Sequence, residues 1–313
     1  MKKILFILIL IIITFLFIER SGEDLKGQRK EILGLDFYNE CMSKPFQSES
    51  TKQNIQSFLT EYQNEPFGLY FEDIKNQYAI SKNGDKPYYG ASLIKLLEAV
   101  YILDNNKIDL NTKLVYQPYN QKSNSLGMDK YLPGSEITIQ ELITYAIEVS
   151  DNTAHEILFN YIGLETLKNY SLTLGINWSL SEIDHYGSLT PKDCNKLLKT
   201  TYQLILKNNE KSVLLKELMN NPYYNTLSFN DITLIHKYGY YDMNYNDIGI
   251  YLGEYPYTLS ILTYYGKDNY TKQVQTISQE IYDIYKDNLI EKENYCNLTN
   301  KKLYYNQIAE HKN

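Results

Sequence analysis

Two residues with complementary chemistry stand three positions apart near the start of an apolar segment. Ser92 and Lys95 lie in GASLIKLLEAVYIL, residues 90–103, where most of the other residues are apolar. A helix that is apolar all round is normally buried, and burying an unpaired hydroxyl and an ammonium is costly. Positions three apart share one helix face, so the two side chains can meet. A desolvated lysine loses basicity and could take the serine proton, which makes Ser92 a candidate nucleophile and Lys95 its candidate base.

The same tetrapeptide has an ordinary structural explanation, in which Ser92 caps a helix and Lys95 extends its amine to solvent. Two later tripeptides favour the chemical interpretation: Ser-Asp-Asn at 150–152 follows a predicted helix, and Lys-Tyr-Gly at 237–239 lies on a predicted strand. Alone, the first could be an Asx-type turn and the second an edge strand with a bend. Together, in this order around a buried Ser-Lys helix, they predict one site.

The elements that must position these residues follow from hydrophobic periodicity. An amphipathic helix is predicted from residue 51, followed by the short strands FGLYFEDI and QYAIS, the central helix and a helical region over 107–220. Three strands, TLIHKYGYY, DIGIYLG and YTLSILTYY, and a closing helix complete the pattern. It predicts an α/β (α+β) fold: a five-stranded antiparallel sheet flanked by helices, beside an all-helical subdomain.

The amino-terminal residues predict an extracytoplasmic location. Lys2 and Lys3 precede an apolar run over 4–18, which suits a signal peptide or a short signal anchor. No small-x-small cleavage site follows, which favours an uncleaved anchor in a membrane over a secreted chain. We expect residues 1–18 to be that segment, 19–50 a polar linker, 51–290 the folded domain and 291–313 a loose polar tail.

Composition excludes several classes of function. A net charge of −7 and a pI of 5.3 give no support for nucleic-acid binding. Arginine occurs only at positions 20 and 29, so the rest of the chain offers no guanidinium for a substrate carboxylate. Neither a disulfide framework nor a metal site is expected, since cysteines and histidines show no paired spacing; they are Cys41, Cys194 and Cys296, and His155, His185, His236 and His311. We therefore expect no cofactor. We also expect the protein to be a monomer.

The three motifs in order resemble the penicillin-recognising serine acyl-transferases, and most closely the class A β-lactamases, whose signature is S-x-x-K, S-D-N and K-T-G. The resemblance covers residues 51–290 and includes PGSEITIQELITYAIEVSDNTA, SLTPKD and NDIGIYLGEYPYTLSILTYY. It implies a β-lactamase/transpeptidase-like fold. It also implies a small-molecule β-lactam or a cell-wall peptide as substrate.

Catalytic roles follow from the resemblance, position by position. Ser92 would be acylated, and Lys95 would accept its proton. Ser150 would relay a proton to the leaving nitrogen. Lys237 would supply positive potential and keep Lys95 less basic.

Substrate-binding roles are carried over in the same way. Asn152 would hold the substrate's amide side chain and brace the lysine of the first motif, whereas Asp151 would turn the loop. The backbone N–H groups of Ser92 and Tyr240 would form an oxyanion hole. Gly239 would let the substrate lie close to the strand. His236, beside the third motif, is expected to be a packing residue.

Two departures from the family pattern affect these expectations. Tyr238 replaces the Thr or Ser whose hydroxyl usually meets the substrate carboxylate, which weakens the case for tight carboxylate binding. The family's E-x-x-L-N loop, whose glutamate releases the acyl group through a water, has no counterpart. Between residues 152 and 190 the chain offers only Glu156, Glu165 and Glu182. Glu182 is a candidate deacylation base, with a surface carboxylate as the alternative, and a long-lived acyl-enzyme is expected.

Three functions remain open at the level of sequence. The first is a surface serine hydrolase that forms an acyl-enzyme with a β-lactam or a cell-wall amide. The second is a D-alanyl-D-alanine carboxypeptidase, or a related peptidase or esterase. The third is a penicillin-binding sensor or inert surface module without turnover.

Overall fold

A sheet and two groups of helices make up the fold, described here from a computed structural model. The structure describes residues 37–230, 232–264 and 270–310, beginning with a helical segment at 37–43. In chain order, the elements that follow are α1 (Glu49–Glu61), β1 (Phe67–Asp73), β2 (Tyr78–Lys82), β3 (Tyr88–Tyr89), α2 (Ile94–Asp104), β4 (Lys113–Val115), β5 (Glu136–Thr138), α3 (Ile139–Glu148), α4 (Asn152–Ile162), α5 (Leu164–Thr173), β6 (Ser188–Leu189), α6 (Pro191–Leu206), α7 (Glu210–Asn220), β7 (Leu234–Tyr241), β8 (Asn244–Tyr251), β9 (Tyr257–Thr263) and α8 (Tyr270–Glu310).

The main sheet contains five strands in the order β2-β1-β9-β8-β7, and every neighbouring pair is antiparallel. These strands coincide with the five β-rich segments of the sequence, two before the helical region and three after it, so the predicted sheet is confirmed. The register pairs Lys237 with Ile248 and Tyr238 with Asp247. Strand β7 is the outer strand, which places the third motif at one edge of the sheet.

Helices cover both faces of this sheet, because successive side chains of a strand point to opposite faces. On one face, the Glu72 carboxylate of β1 accepts hydrogen bonds from Asn195 and Lys199 of α6, each at 2.6 Å. On the other face, the ring of Phe71 packs against Tyr285 of α8, with centroids 6.2 Å apart. The sheet is therefore the middle layer of the α/β fold.

Helix α2 is the centre of the helical part. It packs against α3, α4, α5, α6 and α7, and residues 94–100, 102 and 103 are buried. The predicted central helix is thus confirmed. Lys95 and Glu98 are both fully buried within it, so two ionisable groups lie inside an otherwise apolar environment.

A two-residue pairing fixes the loop after α5 beside the start of α2. Strand β3 pairs with β6, with Tyr88 opposite Leu189 and Tyr89 opposite Ser188. The N–H of Gly90 also donates to the Gly187 carbonyl at 2.7 Å. The loop that carries residues 174–187 is therefore anchored next to the first motif.

The described chain divides into two units, one of residues 49–286 and the other of residues 37–48 with 287–310. In the second unit, Cys41 and Cys296, separated by 255 positions, form a disulfide. The Lys292 ammonium donates to the carbonyls of Met42 and Lys44 at 2.6 and 2.8 Å. Buried hydrogen bonds and a covalent link therefore stabilise this unit.

Three expectations about the chain ends are corrected by this unit. A disulfide is present, because folding brings together two cysteines whose spacing in the sequence gives no sign of pairing, whereas Cys194 is free and buried. Residues 291–310 are helical as the end of α8, so the tail is not loose over that range. Residues 37–48 contain a helical segment and one half of the disulfide, so this part of the predicted linker is structured.

The predicted signal segment, residues 1–18, lies outside the described residues. Within the described part of the chain, none of the helices has the combination of length and apolar character that crossing a membrane requires.

Candidate active site

Ser92 lies in the short 3-10 turn that precedes α2 and is 9% exposed. Ala91 before it has a φ of +45°, a left-handed conformation that is strained for a residue with a Cβ and is often found at functional sites. Gly239 of β7 packs directly against this turn. A Cβ at position 239 would lie 3.0 Å from the backbone nitrogen of Ser92. The glycine therefore lets the strand approach the N–H group predicted to bind an oxyanion.

Lys95 is the most highly connected polar side chain of the site. Its Nζ lies 2.9 Å from Ser92 Oγ, 2.7 Å from Asn152 Oδ1 and 2.5 Å from the Ser150 carbonyl oxygen. A neutral amine has two protons and one lone pair. It can donate to the carbonyl and the amide oxygen while its lone pair faces the hydroxyl of Ser92, which is the arrangement that proton abstraction requires.

The electrostatics of the site favour this neutral amine. Burial lowers the pKa of Lys95 to about 7, although the carboxyl groups of Glu98 and Asp151 raise it. Burial, rather than Lys237, is thus the largest cause of the weak basicity that the sequence predicts. In turn, burial and the charge of Lys95 lower the pKa of Lys237 well below its ordinary value.

Ser150 joins the two buried lysines. Its Oγ lies 3.2 Å from Lys95 Nζ and 3.0 Å from Lys237 Nζ. Its φ of +55° is again in the left-handed region. We call Ser92, Lys95, Ser150 and Lys237 the Ser–Lys network. The structure brings together these four residues, all predicted to be catalytic, as one hydrogen-bonded chain from Ser92 through Lys95 and Ser150 to Lys237.

Asp151 and Asn152 hold the second motif in place. The buried Asp151 carboxylate accepts from the N–H of Ala154 at 2.8 Å and from the N–H groups of Gly127 and Met128 at 2.8 and 2.9 Å. It therefore caps α4 and fixes the turn, as expected. The Asn152 amide donates to the Ser123 carbonyl at 2.9 Å, which orients its oxygen toward Lys95.

The network opens into a cleft of about 890 Å³, which Ser92, Ser150 and Asn152 line. Tyrosine is the commonest residue type in the described part of its wall, with Tyr89, Tyr186, Tyr223, Tyr224, Tyr238, Tyr240 and Tyr241. Tyr238 is only 5% exposed, and its ring centroid lies 4.2 Å from Lys237 Nζ. Tyr240 is 38% exposed on the same strand. The bulky residue of the third motif thus packs over its own lysine and still leaves the cleft open.

The three glutamates between the second motif and α6 lie in different environments. Glu182 is exposed at the rim of the cleft, and Glu165 forms an exposed ion pair with Lys168. Glu156 lies deeper in the cleft. Its Oε1 is 3.4 Å from Lys122 Nζ and its Oε2 is 3.4 Å from His185 Nδ1.

A second group of polar side chains borders the same cleft and was missed by sequence reasoning. His155, Glu156 and His185 each offer a ligand-type atom, and these atoms all lie within 4.8 Å of one another. We call these three residues the histidine cluster. Nδ1 of His155 lies 2.8 Å from Glu98 Oε1, and both side chains are fully buried. The adjacent pair His155-Glu156 was the one sequence signal, but His185 joins it only through the fold.

His236 occupies a separate buried environment. Its Nδ1 lies 2.7 Å from Asp247 Oδ1 on the neighbouring strand, and the second oxygen of Asp247 accepts a hydrogen bond from Thr226. His236 is not among the residues that line the cleft, which agrees with the packing role expected for it.

Comparison with known proteins adds a family match. The model of a family described as the beta-lactamase enzyme family matches residues 50–285. The beta-lactamase ROB-1 of Haemophilus influenzae and that of Mannheimia haemolytica are each 28% identical over 154 residues. The chain spans about half the length of these curated relatives, 48% of each, and the match takes in 48% of this chain.

Solved structures share the fold. PBP-A superposes with a TM-score of 0.66 at 20% identity, over 78% of this chain and 98% of that one. A mutant of PBP-A, in an acyl-enzyme complex with penicillin G, gives a TM-score of 0.68 at 19% identity, over 78% and 99% of the two chains. The TLA-1 extended-spectrum beta-lactamase gives 0.64 at 20%, over 76% and 98%. At these identities the likeness shows the fold alone.

Proposed function

The chain belongs to the beta-lactamase enzyme family, and on that premise we propose that it is a serine hydrolase whose Ser92 is acylated by a β-lactam or a cell-wall-type amide. One observation carries the proposal. A fully buried amine, Lys95 Nζ, lies 2.9 Å from Ser92 Oγ at the edge of an open cleft. Its pKa of about 7 makes it a competent base near neutral pH.

The proposed reaction uses each member of the Ser–Lys network. Lys95 takes the proton of Ser92, and the serine oxygen forms a bond to the carbonyl carbon of the substrate. The backbone N–H groups of Ser92 and Tyr240 stabilise the oxyanion. Ser150, hydrogen-bonded to both lysines, delivers a proton to the leaving nitrogen as the C–N bond breaks, and a proton from the lysines replaces it.

The cleft wall supports a substrate with apolar or aromatic substituents, because seven of the 21 described residues that line it are tyrosines. Both arginines of the chain lie at positions 20 and 29, outside the described residues. Among the described residues, hydroxyls and lysines are therefore the groups available to hold a substrate carboxylate.

We further propose that the acyl-enzyme is released slowly. Glu182, the candidate deacylation base, is exposed to solvent at the rim of the cleft. Glu156 lies deeper, but Lys122 and His185 occupy its two oxygens. Neither glutamate has the features of an efficient general base for water.

An extracytoplasmic location, with residues 1–18 as a signal anchor or signal peptide, is part of the same proposal. Lys2, Lys3 and the apolar run that follows support it. The Cys41–Cys296 disulfide supports it independently, since disulfides persist in oxidising compartments. Protease added to cells stripped of their wall and any outer membrane should cleave the protein, and protection until the cytoplasmic membrane is lysed would contradict this assignment.

The test of acylation is intact-protein mass spectrometry after incubation of the full chain with penicillin. The wild type should gain the mass of one intact penicillin, and Ser92→Ala should gain none. Ser57→Ala is the matched control, because it makes the same chemical change at an exposed serine of α1, and it should label like the wild type. Labelling that persists in Ser92→Ala would overturn the proposal.

The time course of the same experiment separates the possible functions. An adduct that persists for hours supports slow release, whereas rapid loss of the adduct with hydrolysed penicillin indicates an efficient β-lactamase. Release of D-alanine from a pentapeptide ending in D-alanyl-D-alanine would indicate a carboxypeptidase instead.

A further inference from the structure

We propose that the histidine cluster binds a divalent transition metal ion of the zinc class, with His155, Glu156 and His185 as its three protein ligands. Two imidazoles and one carboxylate are a donor set that zinc prefers, and three protein ligands leave a fourth position open. The proposal concerns a site beside the Ser–Lys network and does not depend on the acylation of Ser92.

The first argument is an unsatisfied atom. Nδ1 of His155 is engaged by Glu98, whereas Nε2 is buried and has no hydrogen-bond partner among the residues that the structure describes. A buried polar atom without a partner is costly, so its presence calls for an explanation. Since Nδ1 is already taken, Nε2 is the nitrogen left for a metal ion.

The second argument is the support around each ligand. Metal-binding histidines usually donate their other N–H to a carboxylate, and Glu98 provides that acceptor for His155 at 2.8 Å. The ring of His185 stacks on Phe159 at a centroid distance of 4.0 Å and an angle of 13°. Nζ of Lys122 lies 3.4 Å from Oε1 of Glu156, whereas His185 contacts the other carboxylate oxygen, Oε2. All three side chains are thus oriented before any ion binds.

The third argument is distance. Zinc bonds of about 2.1 Å in a tetrahedron place neighbouring ligand atoms about 3.4 Å apart. His185 Nδ1 and Glu156 Oε2 are already 3.4 Å apart. The cluster as a whole fits within 4.8 Å, so rotamer adjustments of about 1 Å close it around an ion. Glu156 and His185 also line the cleft, which gives the ion an entry path and directs the open position toward it.

The test is a zinc titration of the full chain, purified without a histidine tag and freed of metal by a chelator. Competition with a chromophoric zinc chelator should show one Zn²⁺ per chain. Glu156→Gln and His185→Gln should each weaken binding by more than about 100-fold, and Glu98→Gln by about 10- to 100-fold, as for groups that only orient a ligand. Co²⁺ added in place of Zn²⁺ should give visible absorption that the first two variants lose.

Two controls keep the result interpretable. Glu182→Gln makes the same chemical change on the exposed rim of the cleft and should bind Zn²⁺ like the wild type. Circular dichroism melting curves confirm that each variant is folded. Zinc binding well below one ion per chain, or binding that persists in folded Glu156→Gln and His185→Gln, would overturn the proposal and indicate adventitious binding elsewhere.

Discussion

The Ser–Lys network and the histidine cluster border one cleft but satisfy their polar atoms in opposite ways. In the network, the buried amines of Lys95 and Lys237 each contact several oxygen atoms of the protein. In the cluster, Nε2 of His155 has no hydrogen-bond partner within the described part of the chain, and Oε2 of Glu98, whose other oxygen contacts His155, has none there either. The network satisfies its polar atoms within the protein, whereas the proposed zinc ion would supply the partner of His155 Nε2 from outside it.

Glu98 shows how close the two regions are. Its carboxyl group raises the pKa of Lys95, three positions before it in α2, and its Oε1 lies 2.8 Å from Nδ1 of His155 in α4. Burial raises the pKa of Glu98 itself well above its ordinary value. The comparison teaches that one buried carboxyl can contact two functional groups: it raises the pKa of the proposed base, Lys95, and it orients the proposed metal ligand, His155. Variants should therefore separate the two regions.

The largest effect is expected from Lys95→Met, which breaks the network and leaves the cluster intact. Loss of the general base should slow acylation of Ser92 by about 1,000-fold. The rate of penicillin labelling measures it, and zinc affinity should be unchanged. Lys192→Met, which alters an exposed lysine paired with Asp85, is the matched control and should label normally. A Lys95→Met variant that labels within tenfold of the wild type would remove Lys95 from the mechanism.

The pH dependence of acylation gives the next largest effect. Only neutral Lys95 can take a proton, and its pKa is about 7. The labelling rate should therefore be constant above pH 8 and should fall about tenfold for each unit below pH 7. Glu98→Gln sharpens the comparison, because losing a carboxyl that raises this pKa should move the midpoint to lower pH. A rate that does not change between pH 5 and pH 8 would contradict a neutral-lysine base.

The smallest effect is expected from Gly239→Ala. This variant tests the close packing of β7 against the turn that carries Ser92, a contact that involves the Ser–Lys network and not the histidine cluster. The new Cβ would lie 2.9 Å from the Gly90 carbonyl oxygen and 3.0 Å from the Ser92 nitrogen. We expect a loss of about 1–3 kcal/mol in the free energy of unfolding, as for other overpacked sites, together with slower labelling. Urea denaturation measures the first. Zinc affinity should stay the same, since the cluster lies on α4 and the loop after α5.

Periodicity and motif order predicted most of this architecture, because both are local properties of the chain. The five strands alternate or carry β-branched and aromatic runs, and the spacing of Ser92 and Lys95 follows from one helix turn. The contact of Asn152 with Lys95 was also expected, and the structure contains it at 2.7 Å. Its effect on catalysis stays a prediction.

The features that sequence reasoning missed depend on long-range contacts. His185 reaches His155 because β3 and β6 anchor the intervening loop, and no spacing motif encodes that pairing. Burial is the main cause of the low pKa of Lys95, and it results from the packing of α2 among five other helices, which the sequence pattern does not specify. The strained φ of Ala91 and that of Ser150 are likewise set by tertiary contacts, since neither residue favours the left-handed region.

The Cys41–Cys296 link closes a covalent ring around the intervening residues. A single proteolytic cut in any loop between them would leave one molecule, whose pieces separate in electrophoresis only after a reductant is added. A protein exposed to proteases could in this way be nicked and still keep both halves of its cleft on one connected chain.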